Sequence, residues 1–360
     1  MKRLAVIGIR GFPGVQGGVE SHCLNIVPYL ARHYRCRVYR RRPYLTAQSG
    51  TKQFPGIEFK DLPSTQIKGF EALWHTLLCS LHLLLHRADI VNIHNIGPGL
   101  FTPLLRLFGM KVVLTYHSAN YEHKKWGMVA KTILRIGEFL SLRFASKVIF
   151  VNKFQMEKFP ERIRRKSVYI PNGISDVTPL TSATFLKKNN LEPGKYILAV
   201  GRITPEKGFD TLIRAVNILP YDCRLAIAGS ADHDSSYLDC LKSLDTHKRV
   251  TFTGYTTGQD LAELYSHARL YVLSSTNEGF PIVMLEAMSY SLPLVVTDIP
   301  ATRLVNLKQE CYVPVSSPDA MAKAIERELS SAPCRIEYKM DEYRWTHVAQ
   351  ATVDLYKSLD

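Results

Sequence analysis

The chain has 360 residues, 46% of them hydrophobic and 22% charged, with a formal net charge of +14. Roughly 150 residues per domain gives two domains, and the composition excludes a disordered, collagen-like or coiled-coil chain. The longest apolar run, residues 77–85, is broken by Ser80 and His82 and falls far short of the roughly 20 residues of a membrane span.

Met1-Lys2-Arg3 and the apolar run 4–9 resemble a signal peptide, but the run is short and Gly8, Gly11 and Gly14 follow it. A first strand over 4–8 is predicted instead. A helix over 19–33 follows, then strands over 37–41 and 57–61, a helix over 70–86 and strands over 90–94 and 112–116. A helix over 127–144 and strands over 147–151 and 168–170 complete the first half. Residues 175–195 are polar, carry Pro179 and Pro193 and read as an interdomain linker or a loosely folded connection. Beyond them, strands are predicted over 197–201, 224–228, 250–252, 270–274, 294–297 and 311–313, with a helix over 209–219. Near-continuous apolar strands alternating with helices predict parallel sheets covered on both faces. The fold class is α/β, with two doubly wound domains at 1–175 and 176–344 and ligand loops at the carboxyl ends of the strands. Residues 345–359 repeat apolar side chains at helical spacing from Trp345 to Leu359.

The charge is uneven. Residues 1–175 hold 27 lysines and arginines against 9 acidic residues, whereas the rest holds 19 against 23. The basic half points to an anionic surface or substrate. No aromatic-basic platform or known module supports nucleic acid. The seven cysteines are scattered without a C-x-x-C pair, which predicts a reduced compartment and no zinc site.

Three loops carry the chemistry. Glu278-Gly279-Phe280-Pro281-Ile282 follows a strand and opens a helix, with Pro281 in its first turn. The amide groups of such a helix start attract a phosphate. Glu278 and Glu286 flank it and suit two sets of ligand hydroxyls, those of a hexose and of a ribose. Gly201-Arg202 with Lys207-Gly208 follows the strand over 197–201. Arginine offers a planar fork and lysine a point charge, the compensation a leaving diphosphate needs without a metal. Between Gly8 and Gly18 stand five glycines in eleven residues, ending in the pair Gly17-Gly18 at a helix start. A dinucleotide site is the rival reading of this loop. G-x-G-x-x-G is not matched, but Arg40, Arg41 and Arg42 could hold a 2′-phosphate of NADP. Asp232-His233-Asp234 is read as loop and helix-start chemistry, not as a metal site.

Gly17-Gly18, Pro171-Asn172-Gly173-Ile174, Gly201-Arg202 with Lys207-Gly208, and Glu278 with Glu286 occur in this order on two βα domains. The set resembles a GT-B glycosyltransferase of the large retaining family 4. The stretch 116–127 and the opening Arg10-Gly11-Phe12-Pro13 are similar to a rhamnosyltransferase-like branch of surface polysaccharide and O-antigen assembly. The resemblance implies two Rossmann-like domains facing a cleft, with helix 345–360 crossing back onto the first. It implies a nucleoside diphosphate sugar as substrate, with no cofactor. A non-catalytic subunit that keeps the fold is a further alternative.

By this resemblance, Arg202 and Lys207 hold the donor diphosphate with Gly17 and Gly18 close by. Glu278 binds the transferred sugar with Gly279 and Phe280, ahead of Pro281 and Ile282, and Glu286 binds the ribose. Gly254 and Tyr255 line the base. His117 faces the reacting sugar, although Ser118 follows it where many relatives have Asp. Glu122, His123, Lys124 and Trp126 are acceptor-side candidates. The acceptor is expected to be a glycan on a lipid pyrophosphate. The protein is expected on the cytoplasmic face of an anionic membrane, held by Arg35, Arg37, Arg40–Arg42, Arg162 and Arg164–Lys166.

Overall fold

The computed structural model describes every residue except 47, 48, 66, 68, 69, 120, 122–126, 221, 232–235 and 360. Two compact units divide the chain: Met1–Gly173 with Tyr343–Asp360, and Ile174–Glu342.

The first unit runs β1 (Arg3–Ile7), α1 (Gly18–Leu30), β2 (Arg35–Arg41), β3 (Ile57–Leu62), α2 (Glu71–Leu85), β4 (Ile90–His94) and α3 (Thr102–Leu107). It continues through β5 (Lys111–Tyr116), α4 (Met128–Phe144), β6 (Lys147–Phe150), α5 (Lys153–Glu157), α6 (Glu161–Arg164) and β7 (Ser167–Tyr169). Its seven strands are all parallel, in the order β3-β2-β1-β4-β5-β6-β7. Alternation along β1 feeds a core on each face. Leu4 and Val6 join Val27 and Leu30 of α1, while Ala5 and Ile7 join Cys79 and Leu83 of α2 and Leu142 of α4.

The second unit runs α7 (Thr184–Lys188), β8 (Tyr196–Val200), α8 (Phe209–Ile218), β9 (Arg224–Ala228), α9 (Ser236–Leu244), β10 (Val250–Gly254) and α10 (Gly258–His267). Then come β11 (Leu270–Leu273), α11 (Ile282–Ser289), β12 (Leu294–Thr297), β13 (Tyr312–Val313) and α12 (Pro318–Ser330). Its six parallel strands follow the order β10-β9-β8-β11-β12-β13. Both units are therefore doubly wound, as the alternation of apolar runs and helices predicts.

The last helix, α13 (Trp345–Lys357), packs in the first unit against α1. Trp345, Val348, Val353 and Tyr356 are buried in the same core as Leu4 and Leu30. Gly173 makes this possible, because a Cβ there would collide with the Trp345 indole.

Two sequence expectations fail. Residues 175–195 are not a linker but a packed part of the second unit. The Leu180 amide donates to Ser266 Oγ at 2.8 Å and the Leu186 amide donates to Glu263 Oε1 at 2.9 Å. Ser182 Oγ donates to Glu263 Oε2 at 3.0 Å, and Leu186 and Leu191 are buried. The second failure concerns β2. Arg40 and Arg41 are buried, at 5% and 4% exposure, and do not present themselves to a membrane. Arg40 lies in register with Asp61 of β3, and its guanidinium donates to both Asp61 carboxylate oxygens at 2.7 and 2.9 Å. It also donates to the Phe12 and Ser49 carbonyls. Arg41 stands 3.6 Å from Glu71. Arg40 is a structural cation tying the glycine loop to the sheet edge, which removes it as a holder of a 2′-phosphate.

No helix among the described residues is long and apolar enough to cross a membrane.

Candidate functional site

In each sheet the chain order reverses beside the first strand, with β1 between β2 and β4 and β8 between β9 and β11. Doubly wound sheets bind ligands at the carboxyl ends of strands at such points.

In the second unit, the loops after β8 and β11 meet there. Gly208 adopts a left-handed conformation with φ 63°, and a Cβ on it would strike the Ser274 carbonyl oxygen. Ser274 Oγ donates to the Lys207 carbonyl at 2.8 Å, and the Thr276 amide donates to the Glu206 carbonyl at 2.8 Å. These bonds fix the loop of Lys207 against the loop of Glu278. Lys207 Nζ then donates to Glu278 Oε1 at 2.5 Å, and Ser275 Oγ donates to the same oxygen at 2.7 Å. Both charged side chains are mostly buried, at 15% and 14% exposure. Gly201 leaves the space that the Lys207 stem crosses, with a Cβ position 3.3 Å from Lys207 Cε. Arg202 follows Gly201, is partly buried, and is set by the Ile203 amide donating to the Ser230 carbonyl at 3.0 Å.

Gly279, Phe280 and Pro281 lead into α11, with Phe280 and Ile282 buried. Pro281 is the capping residue outside the first turn, one position earlier than its missing N–H suggests. Glu286 lies in α11, where Tyr265 OH of α10 donates to its Oε2 at 2.8 Å. Burial pushes the Glu286 carboxyl above its ordinary value, opposed by that hydrogen bond. Gly254 and Tyr255 stand at the carboxyl end of β10, two strand positions from β8. Gly254 is left-handed at φ 72°, and Tyr255 is exposed.

In the first unit the glycine loop is shaped by close approach. A Cβ on Gly8 would strike the His94 carbonyl oxygen, and one on Gly17 would strike the Glu20 carboxylate. That carboxylate accepts the Arg10 amide at 2.9 Å. Gly18 begins α1 facing open space.

His117 follows β5 and belongs to a cluster that sequence reasoning did not find. His94 at the end of β4 and His22 of α1 are buried with it, and their ring centroids lie 5.2 and 5.1 Å from that of His117. His22 Nδ1 donates to Asn172 Oδ1 at 3.0 Å and its ring meets the Trp345 indole edge-on at 5.4 Å. Cys23 Sγ lies 3.5 Å from His94 Nε2, and His94 Nδ1 lies 2.9 Å from His117 Nε2. Burial pushes the Cys23 thiol up, so it keeps its proton beside the His94 ring. One of the His94 and His117 rings donates to the other, and the contact engages His117 through Nε2, leaving Nδ1 as its second ring nitrogen.

Burial lowers all three histidines, His22 to about 4, and likewise lowers His75 of α2 to about 3. The unfolded chain binds these protons near pH 6.5 and the folded chain does not. Stability is therefore complete above about pH 7 and is lost as pH falls below about 6.5, by about 1.4 kcal/mol per pH unit for each such histidine. Urea midpoints measured at pH 7.5 and 5.0 are expected to show a lower value at pH 5.0. An unchanged midpoint would contradict the buried neutral cluster.

Glu122, His123, Lys124 and Trp126, with Asp232-His233-Asp234, lie outside the described residues. The structure thus joins Lys207 with Glu278 in one unit; in the other, Gly17 and Gly18 end the loop after β1 at the switch point, and His117 follows β5, the neighbour of β4.

Comparison with known proteins agrees with this architecture. Residues 16–177 match the family described as Glycosyltransferase Family 4, and residues 182–343 match Glycosyl transferases group 1. The two matches account for most of the chain, which belongs to the GT-B glycosyltransferases. An uncharacterized glycosyltransferase of Methanocaldococcus jannaschii is 36% identical over 176 residues, 45% of this chain and 45% of that protein. The O-antigen chain mannosyltransferase B of Escherichia coli is 26% identical, over 64% of this chain and 61% of its own. For three curated relatives the matched stretch spans only 45%, 48% and 39% of the relative's length. Among solved structures, a sucrose-phosphate synthase from Thermosynechococcus elongatus superposes with a TM-score of 0.82 at 21% identity, covering 100% of this chain and 99% of that one. The Anabaena protein HepE in complex with UDP and glucose gives 0.81 at 18% identity, covering 99% and 100%. These likenesses show the fold.

Proposed function

We propose that this protein transfers a hexose or deoxyhexose, with retained anomeric configuration, from a nucleoside diphosphate sugar to a glycan acceptor. The acceptor is carried on a lipid pyrophosphate at the cytoplasmic face of an anionic membrane, in surface polysaccharide or O-antigen assembly. The observation that carries this reading is the Lys207–Glu278 pair, held between two pinned loops beside the start of α11. Without donor, each charge compensates the other. A nucleoside diphosphate sugar offers a partner to both: its phosphate takes Lys207 and Arg202, and its sugar hydroxyls donate to Glu278. Glu286 takes the ribose, and Gly254 and Tyr255 the base. A mannosyltransferase relative of O-antigen assembly and a fold neighbour with UDP and glucose bound support this direction. The resemblance of residues 10–20 and 116–127 to the rhamnosyltransferase-like branch supports a deoxyhexose among the sugars.

Chemistry follows from positioning and charge. The bond from the anomeric carbon to the phosphate oxygen breaks, and the acceptor hydroxyl forms its bond on the same face. Its proton passes to the departing phosphate oxygen. Arg202 and Lys207 stabilise the charge gained by the diphosphate, the work a divalent metal does in other transferases. His117 acts at the reacting sugar.

A melting-temperature panel with UDP, GDP, dTDP and NADPH, in EDTA and in Mn²⁺, tests the proposal. One nucleoside diphosphate is expected to raise the midpoint equally in both, and donor turnover is expected to survive EDTA. A shift from NADPH alone would return the site to the glycine loop and overturn the transferase reading. Activity abolished by EDTA and restored by Mn²⁺ would refute metal independence.

A further inference from the structure

The helices α2, α3 and α4 pack in sequence on one side of the first unit's sheet. Among the described residues, seventeen large apolar side chains are exposed, and eleven of them lie on these three helices or the residues adjoining them. Helix α4 shows why. Its inward positions include the small residues Gly137 and Ser141, which let its backbone approach Ile96 and Gly99 so closely that a Cβ on Gly137 would strike the Ile96 carbonyl. Its outward stripe carries Met128 (86% exposed), Val129 (76%), Ile136 (47%) and Phe139 (66%). Besides Leu134 and Leu142, which face the core, α4 thus carries a second apolar stripe that faces outward. Trp74 and Leu85 of α2 and Leu107 of α3 extend the apolar face.

Charge on this face has one sign. Exposed Arg135 and Arg143 stand on the same stripe of α4. At its C-terminal end Lys166 Nζ donates to the Arg143 and Ala145 carbonyls at 3.1 and 2.9 Å. Burial, with Arg143, Arg162 and Arg106 nearby, lowers Lys166 to about 8, which marks a concentration of positive charge. The three helices contain two carboxylates, and both turn inward. Glu71 pairs with Arg41 and accepts Tyr44 OH, and Glu138 accepts Tyr116 OH at 2.5 Å. A second copy of the chain would bring like charge against like charge. An anionic bilayer complements both the apolar and the cationic side chains.

We propose that the outward stripe of α4, with the flanking ends of α2 and α3, is the surface by which this protein lies on an anionic lipid bilayer. Ile136 and Phe139 enter the headgroup region, and Arg135, Arg143 and the Lys166 cluster engage lipid phosphates. This extends the reading of a lipid-carried acceptor, because the stripe starts at Met128, just after the acceptor-side candidates at 122–126. It also moves the attachment from the Arg40–Arg42 region to the opposite end of the sheet order.

The test is co-sedimentation of the full chain with phosphatidylcholine vesicles, with and without about 30% phosphatidylglycerol. Binding is expected only with the anionic lipid and is expected to fall sharply in 1 M NaCl. Ile136→Ser with Phe139→Ser is expected to weaken it about tenfold or more. Arg135→Glu with Arg143→Glu, which leaves the apolar side chains in place, is expected to weaken it at least about twentyfold. All four positions are exposed, so melting temperatures are expected to stay unchanged. Wild-type binding indifferent to lipid charge, or either double variant binding as wild type does, overturns the proposal. So does a wild-type dimer that the serine pair dissociates, since a second copy then covers the face. Nucleotide-induced melting shifts on the same samples report the transferase reading separately.

Discussion

Lys207→Ala is expected to lower kcat/KM by about 10²- to 10³-fold, most of it in kcat, when nucleoside diphosphate release is followed. The diphosphate gains charge as the glycosidic bond breaks, so a fixed cation there stabilises the transition state more than bound donor. Lys207 is suited to this before donor arrives. Its ammonium is largely removed from water and held by Glu278, and its loop is tied to the Ser274–Thr276 strand end by backbone and hydroxyl bonds. Little reorganisation remains for the reacting complex. Lys207→Arg is expected to recover only part of the loss. The space beside Gly201 fits a straight stem, and the wider guanidinium displaces its charge. A Lys207→Ala enzyme within tenfold of wild type would remove Lys207 from the chemistry.

His117→Ala is expected to reduce kcat by about 10²-fold and to leave nucleoside diphosphate affinity within about twofold. The split arises because the proposed nucleotide contacts lie in the other unit. The cluster geometry adds a sharper expectation. His117 Nε2 is engaged by His94, so Nδ1 is the nitrogen left for the sugar. Asparagine places an amide N–H near the Nδ1 position, and glutamine places one near Nε2. His117→Asn is expected to retain more activity than His117→Gln. The reverse order, or a loss of nucleotide affinity equal to the loss in kcat, would contradict the assigned role. Removing the ring also leaves the buried His94 Nδ1 without its partner, at about 1–3 kcal/mol, so melting temperatures accompany the kinetics.

The alternation of apolar strands and helices was legible because every strand pairs in parallel and the central ones are buried on both faces. The loops of Lys207 and Glu278 were legible too, since each directly follows a strand of the switch point. Contacts between distant residues were not. Arg40 and Asp61 are 21 residues apart and become partners only through the register of β2 with β3, so three consecutive arginines looked like a surface cluster. His22, His94 and His117 come from α1, β4 and the end of β5, and no spacing announces their meeting. The available signal was that His94 ends one predicted strand and His117 follows its neighbour. The polar segment 175–195 misled for a related reason. Its hydroxyl and amide groups serve α10 through Ser266 and Glu263, more than 75 residues downstream.

The return of α13 to the first unit also orders the protein's biosynthesis. Residues 174–342 are contiguous, so the second unit can close while the chain is still being made. The first unit cannot: Trp345, Val348, Val353 and Tyr356 complete its core and are made only after the whole second unit. Until then the part of α1 that packs against α13 is uncovered and open to chaperones or to aggregation. Cutting the gene after residue 173 would make that condition permanent, whereas joining 173 to 343 by a short linker would keep the first unit whole.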